Sequence, residues 1–389
     1  MAITDHESAV AAARGIAPVL ATGASARDSD RALPFDVVEA LTATGLLAVT
    51  VPAEFGGPGL GARPLAEVVA VLAAADPSVA QIPQSHFVFV DAARRVGSDV
   101  LKKHLFSRVL DGARVANAQT ERGGKTVLDD ATTLRRRDGR LRLTGSKFYA
   151  TGAVFADILA VRAIGPDGGS VIAYVPADAA GITIDDDWDG LGQRTTSSGT
   201  VLLDDVDVNA DLVLDYTRLL ATPSTYGTRA QLVHAAIDVG IARGALDSVP
   251  ELADRARPWF EAGVERAAED PLLVAQAGEL ELAVRSAAAL LREAADRIDE
   301  AEAASTPETI ADAALATAAA KVAAGRAARR AGSELFDFGG TRTASGRANL
   351  DRYWRDARTH TLHDPERWKL QHLGRWAVER QPPPSHGTL

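Results

Sequence analysis

The apolar residues of this 389-residue chain change period twice, and that change restricts the fold more than any single motif. Up to about residue 112 they recur at three and four. Residues 35–44 form an amphipathic stretch opened by Leu33-Pro34 and closed at Gly45, a second helix is expected over 64–75, and Asp76-Pro77-Ser78 reads as the cap of another. The period then falls to two. Residues 133–144 alternate on both sides of Asp138-Gly139, a hairpin pair, 158–161 and 170–175 flank the turn at 165–169, and 200–208 adds strand. The helical period returns over roughly 227–249, 264–297 and 306–336, the last with Thr306 as cap and Pro307 in the first turn. The expected fold is α+β in three parts: a helical domain over 1–112, an antiparallel β domain over 113–220, and a helical bundle over 221–389 that carries an active-site tail. Alanine dominates the last part, where it favours helix and allows close packing. No βαβ crossover is visible, and the glycine cluster at 55–61 misses the G-x-G-x-x-G spacing, so a Rossmann fold is disfavoured.

The formal charge of -10 argues against nucleic acid as a partner, although a local arginine pocket for a small anion remains open. With no cysteine there is no disulfide, no thiolate catalysis and no cysteine-bound metal, which fits a reducing cytoplasm. Neither a secretory signal nor a membrane span is legible, so the expectation is a cytoplasmic protein without membrane contact.

The chemistry concentrates in two histidines, His360 and His363, within a run from Trp354 to Pro365 rich in arginine and aspartate. Imidazole changes charge near neutral pH and can hold or move a proton. Three readings stand side by side. As metal ligands the pair lacks a third partner of matching pattern, as structural groups they would bond near Pro365, and as active-site groups they would flank an organic cofactor. His86 interrupts an apolar helical stretch, where a lone histidine is usually a bonded core residue, yet the preceding Gln84-Ser85 suggests a face turned to a cleft. His6, His104, His234, His372 and His386 read as inert. Residues 117–124 and 144–152 are polar and glycine-ended, and together offer the amide and hydroxyl groups a flavin ring needs. Arg255 and Arg257 read either as a phosphate clamp or as surface arginines. Trp188 opens a shaped loop that could line a pocket.

Several of these segments resemble, in order and spacing, the acyl-CoA dehydrogenase superfamily. They are 117–124, Gly145-Ser-Lys147 with Thr151-Gly-Ala153, 191–197 with 203–208, and Phe338-Gly-Gly340 followed by Tyr353-Trp-Arg-Asp-Ala-Arg358. The resemblance spans nearly the whole chain and implies a helical domain, a β domain and a four-helix bundle with flavin at their junction, in a dimer of dimers. One departure stands out. Many such dehydrogenases carry a catalytic glutamate, in one common version in the loop after Arg-Asp-Ala-Arg, where this chain has Thr-His-Thr-Leu-His and no glutamate before Glu366. The run 358–365 resembles instead the flavin-dependent monooxygenase branch that includes dibenzothiophene monooxygenase and the sulfur-acquisition oxidoreductases, as do 257–259, 147–149 and 382–387.

That branch implies an oxygenase fed with reduced FMN by a separate NAD(P)H:flavin reductase. It would oxygenate a small organosulfur or related heteroatom compound with O2 through a flavin C4a-hydroperoxide. The alternative is an FAD-dependent dehydrogenase or oxidase. Carried onto this chain, the resemblance puts His363 at the reactive flavin edge with Thr151 and Asn117, and His86 as a second pocket histidine. Thr120, Lys147, Arg255, Arg257, Phe338, Gly339 and Gly340 join Asn117 and Thr151 as cofactor contacts. Phe87, Trp188 and His360 join His86 and His363 as pocket lining, and no metal is implied.

Overall fold

A computed structural model describes residues 3–126 and 129–384. In the first third, local caps start the helices. Asp5 accepts the Ser8 N–H at 2.8 Å to begin His6–Ala21, and Asp76 accepts from Ser78 and Val79 to begin Pro77–Gln81. The expected helices appear as Phe35–Ala43 and Ala62–Ala75, followed by Gln84–Val96 and Asp99–Leu110. Leu65, Val68, Val69 and Leu72 share a single core with three long helices, Tyr226–Asp247, Pro271–Ala303 and Pro307–Gly339. The helical parts at the two ends of the chain are therefore one packed body. Gly240 lets the first two of these elements touch, because a Cβ there would lie 2.4 Å from the Ala73 methyl. Thr306 accepts the Thr309 N–H at 3.2 Å, and Pro307 follows in the first turn, as the sequence signals.

Eight strands form the sheet: β1 (Val115–Ala118), β2 (Thr133–Arg137), β3 (Arg140–Ala150), β4 (Ile158–Ile164), β5 (Ser170–Pro176), β6 (Ile182–Asp185), β7 (Gly199–Val208) and β8 (Val213–Asp215). Their order is β6–β7–β3–β2–β4–β5–β8, with β1 on the edge of β4. Asp138 and Gly139 have φ of 52° and 79°, the positive pair a two-residue hairpin turn requires. The sheet is mixed rather than antiparallel, since β1 runs parallel to β4 from Val115↔Ile158 to Ala118↔Val161, and β2 meets β4 in parallel at Thr133↔Ile164. Alternation in a sequence marks which face is buried and says nothing about strand direction, so this pairing was not legible. The two faces separate cleanly. Val115, Ile158, Ile172 and Tyr174 pack on the helices of the 84–110 region, while Ala116, Leu159, Val161 and Val175 fill the opposite layer.

Lys147 on β3 is fully buried. Its ammonium donates to Glu121 Oε1 at 2.6 Å, to the Gln119 carbonyl at 3.1 Å and to Asp130 Oδ1 at 3.3 Å, with Arg162 closing the far side of Asp130. The expectation of a cofactor contact is corrected here: every direction the ammonium can use is filled, and Lys147 anchors the 119–121 segment instead. Burial alone would raise the Glu121 pKa, but Lys147 and the N–H groups of Thr132 and Ala131 hold it down to about 2. Its stabilising contribution is therefore complete above the ordinary carboxylate range and is lost as the pH falls toward 2. Lys147→Met, which leaves Glu121 without its cation while Asp130 keeps Arg162, is expected to cost about 3 kcal/mol in urea unfolding at neutral pH. The deficit relative to the parent should narrow as the pH drops below 4.

Candidate active site

The sheet meets the bundle where the loop before β7 lies on the helix Asp351–His360. Gly192 N–H donates to Thr359 Oγ1 at 2.9 Å, Gln193 N–H to Asp356 Oδ1 at 2.5 Å, and Arg355 Nη1 to the Leu191 carbonyl at 3.2 Å. Only glycine fits at 192, because a Cβ would stand 2.1 Å from the Arg355 carbonyl oxygen. Arg355 also grips Asp28 at 2.6 Å, which brings the N-terminal helices into the joint. Burial pushes the Asp356 carboxyl up to about 7, against the opposing pull of the Gln193 N–H. Trp188, half-buried, donates its indole N–H to the Gln193 carbonyl at 2.9 Å and meets Tyr149 edge-on. Tyr149, Gln193 and Ser197 have φ of 58°, 48° and 46°, left-handed values that cost side-chain-bearing residues about 1–3 kcal/mol each. Strain is thus concentrated at this rim.

The same loop faces one end of the sheet. The Thr120 carbonyl accepts the Phe148 N–H at 2.8 Å, drawing 117–120 beside the end of β3. Thr151 Oγ1 shares a hydrogen with Ser198 Oγ at 2.7 Å, Ser198 with Thr196 at 2.8 Å, and Gly152 N–H donates to the Thr196 carbonyl at 3.0 Å. Asn117, Thr120 and Thr151 therefore lie toward one end of the sheet. Four buried polar atoms in these segments have no partner: Asn117 Oδ1, Gln119 Nε2, Gln193 Nε2 and Arg194 Nε. Unmet buried donors and acceptors are costly and rare. One acceptor and three donors left over together suit a heteroaromatic ring that carries both carbonyls and an N–H.

His360 and His363 lie at the other wall. His360 is 2% exposed; its Nδ1–H donates to Asp238 Oδ1 at 2.5 Å, and its Nε2 lies 3.0 Å from His234 Nδ1. The next turn returns His363 N–H to the His360 carbonyl at 3.1 Å and sets the His363 ring 4.0 Å, centroid to centroid, from that of His234. His363 reaches solvent, and its side chain makes no hydrogen bond to the described residues. Crowding by protein atoms, then the nearby Lys321 cation, push its pKa down to about 4, so it is a neutral base at ordinary pH. The carboxylates around it are all engaged. Asp238 also accepts from Lys321 at 3.3 Å, Asp364 pairs with Lys369 at 2.8 Å, and Glu366 is held by Arg326 at 2.8 Å and Arg329 at 2.7 Å.

Other expected site residues lie elsewhere. His86 is 1% exposed and donates from Nε2 to the Leu47 carbonyl at 2.9 Å, while its Nδ1 accepts the Val115 N–H at 3.1 Å. With both nitrogens spent on backbone, His86 is a strut that locates β1, not a group free to move protons. Phe87 belongs to the main core. Arg255 pairs with Glu251 at the surface, Arg257 is exposed, and Arg342 ties this segment to the end of Pro307–Gly339 by donating to the Arg255 carbonyl at 3.0 Å. Thr361 beside the histidines packs near Gly325 of the same long helix, so Phe338, Gly339 and Gly340 begin about 20 Å further along it. One copy of the chain does not bring them to His363. The 382–387 segment runs past the described residues after 384. The sequence reading missed His234, taken as inert, and Asp238, Lys321 and Ser198. The available signal was the four-residue spacing of His234 and Asp238, which puts both on one helix face.

Comparison with known proteins matches the chain to the acyl-CoA dehydrogenase N-terminal domain over 4–113, middle domain over 116–206 and C-terminal domain over 232–365. A dibenzothiophene monooxygenase of Rhodococcus qingshengii is 33% identical, over 96% of this chain and 94% of the relative. A probable FMNH2-dependent monooxygenase of Pseudomonas putida is 32% identical, over 98% of both chains. The crystal structure of FMN-bound TdsC from Paenibacillus sp. A11-2 superposes with a TM-score of 0.92 at 32% identity, covering 98% of this chain and all of that one.

Burial pushes the His86 pKa from 6.5 down to about 4. The unfolded chain therefore binds a proton the native one refuses between those values, and this term makes stability rise with pH across that window. Replacing His86 with Gln should remove it: the stability of the parent relative to His86→Gln, from urea titrations, is expected to climb between pH 4 and 6.5 and then level. Folded His86→Gln should retain turnover.

Proposed function

This chain belongs to the acyl-CoA dehydrogenase superfamily, in its flavin-dependent monooxygenase branch, and we propose that it oxygenates a small organosulfur or related heteroatom compound with O2 and reduced FMN. The observation that carries this reading is His363, a neutral and unpaired imidazole among carboxylates that are all ion-paired. In one common version of the dehydrogenases a free glutamate in this loop takes the thioester α-proton, and no free carboxylate stands here among the described residues. Glu366, the first glutamate after the motif, is clamped between two arginines. The relatives named as dibenzothiophene and FMNH2-dependent monooxygenases support the substrate class and cofactor.

The leftover buried atoms fit a flavin. Asn117 Oδ1 would accept from a ring N–H, and the amides of Gln119 and Gln193 would donate to ring carbonyls. Thr151, backed by Ser198 and Thr196, supplies a hydroxyl donor at the same edge. Arg257, exposed and in no ion pair among the described residues, suits the phosphate. Because Arg257 and the Phe338-Gly-Gly340 turn lie far from His363 in one copy, we assign the phosphate end to a second copy, within a homo-oligomer arranged as a dimer of dimers. Reduced FMN supplies the two electrons that, with one dioxygen, leave one oxygen on the substrate and one in water. The chain's own groups do the rest. His363 takes and returns the proton at the reacting edge, the Thr151–Ser198–Thr196 hydroxyls hold an oxygen in place, and Trp188 with Tyr149 keeps bulk water from the rim. A separate NAD(P)H:flavin reductase provides the reduced cofactor. We place the pair in the cytoplasm, consistent with a cysteine-free chain. Among the described residues no single helix is long and apolar enough to cross a membrane.

The test supplies reduced FMN, ¹⁸O2 and a panel of thioethers, aromatic thiophenes and sulfinates. Label is expected in product only when the reduced flavin is present. Reduction of bound flavin by an acyl-CoA, without any reductase, would overturn the reading. His363→Ala is expected to lower coupled oxygenation by about 100-fold, the usual scale of a lost general acid–base. Oxygen consumption should continue as hydrogen peroxide release.

A further inference from the structure

Behind His363 the bundle contains a buried polar chain that the proposed function does not explain. His234 and Asp238 project one turn apart from Tyr226–Asp247 and meet His360 from the neighbouring helix. Asp238 is 0% exposed, His234 1%, His360 2% and Lys321 6%. The surrounding seam is built from Ala, Gly and Leu, and an apolar set of similar volume would hold such a seam equally well. Stability alone therefore does not account for these four groups.

The hydrogen bonds fix the orientation of each ring. Burial works to raise the Asp238 pKa, but His360 and Lys321 hold it below the usual range, so the carboxylate is ionised and can only accept. His360 Nδ1 must then carry the proton shared across 2.5 Å, and its Nε2 is left to face His234 Nδ1. His234 is thereby held by one nitrogen in one orientation, and the His363 ring packs against it at 4.0 Å between centroids, tilted by 39°.

We propose that Asp238, His360 and His234 are positioning residues: two successive hydrogen bonds lock the His234 ring, and the close, tilted contact of that ring holds the His363 ring in place, while the nitrogens of His363 stay free for the reaction. This rests on the functional reading above. It adds that the base is aimed by a three-residue chain reaching back into the bundle, with ring-to-ring contact rather than a hydrogen bond as its last link. The charged and titratable groups facing His363 are His234 and Asp238 from one helix, Lys321 from the next, His360, Asp364, and Lys369 from the final helix. Lys321 opposes protonation of His363, while Asp364 and Asp238 favour it.

The experiment follows the His363 imidazole by ¹⁵N NMR in the flavin-free full-length protein, and separately measures the ratio of oxygenated product to hydrogen peroxide with reduced FMN. In His234→Ala water reaches the exposed ring face. The His363 titration should move up from about 4 toward the ordinary 6.5, and the coupling ratio should fall about tenfold, the scale of losing a supporting partner. His234→Phe keeps an aromatic ring against His363 and should hold the titration low and restore most of the coupling. Asp238→Asn, which frees His360, should lower coupling without abolishing reduced-FMN binding. An unmoved His363 titration in His234→Ala, or a His234→Phe protein as impaired as the alanine variant, would overturn the proposal. If the parent protein oxygenates nothing, the proposed function fails. The NMR comparison still decides whether His234 orients His363.

Discussion

The seam between the 190–193 loop and the helix Asp351–His360 is the contact on which the site depends. It consists of backbone lying against backbone at Gly192, with Asp356 and Thr359 taking up the loop's N–H groups and Arg355 reaching through to Asp28. In the proposed site the sheet would contribute hydroxyls and amides and the bundle imidazoles, with neither layer supplying both. Because the seam is made by a missing side chain and by buried hydrogen bonds, it fixes spacing far more tightly than apolar packing between the two layers would.

The histidine wall is also a study in charge balance. Lys321 and Lys369 face Asp238 and Asp364, so the cluster brings in two cations and two anions. Among the described residues of the wall, Asp238, Asp364 and Glu366 are all ion-paired, so none of them is free to act as a base. What remains is a neutral base beside neutral donors. That environment is suited to handling one proton at an oxygen atom while the surrounding protein excludes water.

Features set by neighbouring residues were legible in the sequence. Asp138-Gly139 specified its turn because positive φ at both positions is a local demand, and Thr306-Pro307 specified a helix start for the same reason. The His360/His363 spacing likewise pointed to the turn of chain that the structure packs against His234. Features set by contacts distant in sequence were not legible. The parallel pairing of β1 with β4 joins residues more than forty positions apart, and Asp238 meets His360 across 122. Lys147 shows the same limit from the opposite side, since its setting among hydroxyls and aromatics suggested a ligand while the fold surrounds it with Glu121 and Asp130. His86 sits in an apolar stretch as either a strut or a catalytic group would, and only its two backbone partners separate these roles.

Asp356, at the centre of the seam, has a consequence for how the whole molecule responds to acidity. Its carboxyl is raised from 3.8 to about 7, so the native chain keeps a proton the unfolded chain has already lost, and this term weakens the fold as the pH rises through that interval. His86 is displaced the other way over almost the same interval, and its term strengthens the fold as the pH rises. The two slopes oppose each other. Over their shared interval the joint contribution of Asp356 and His86 is therefore flatter than that of either group alone.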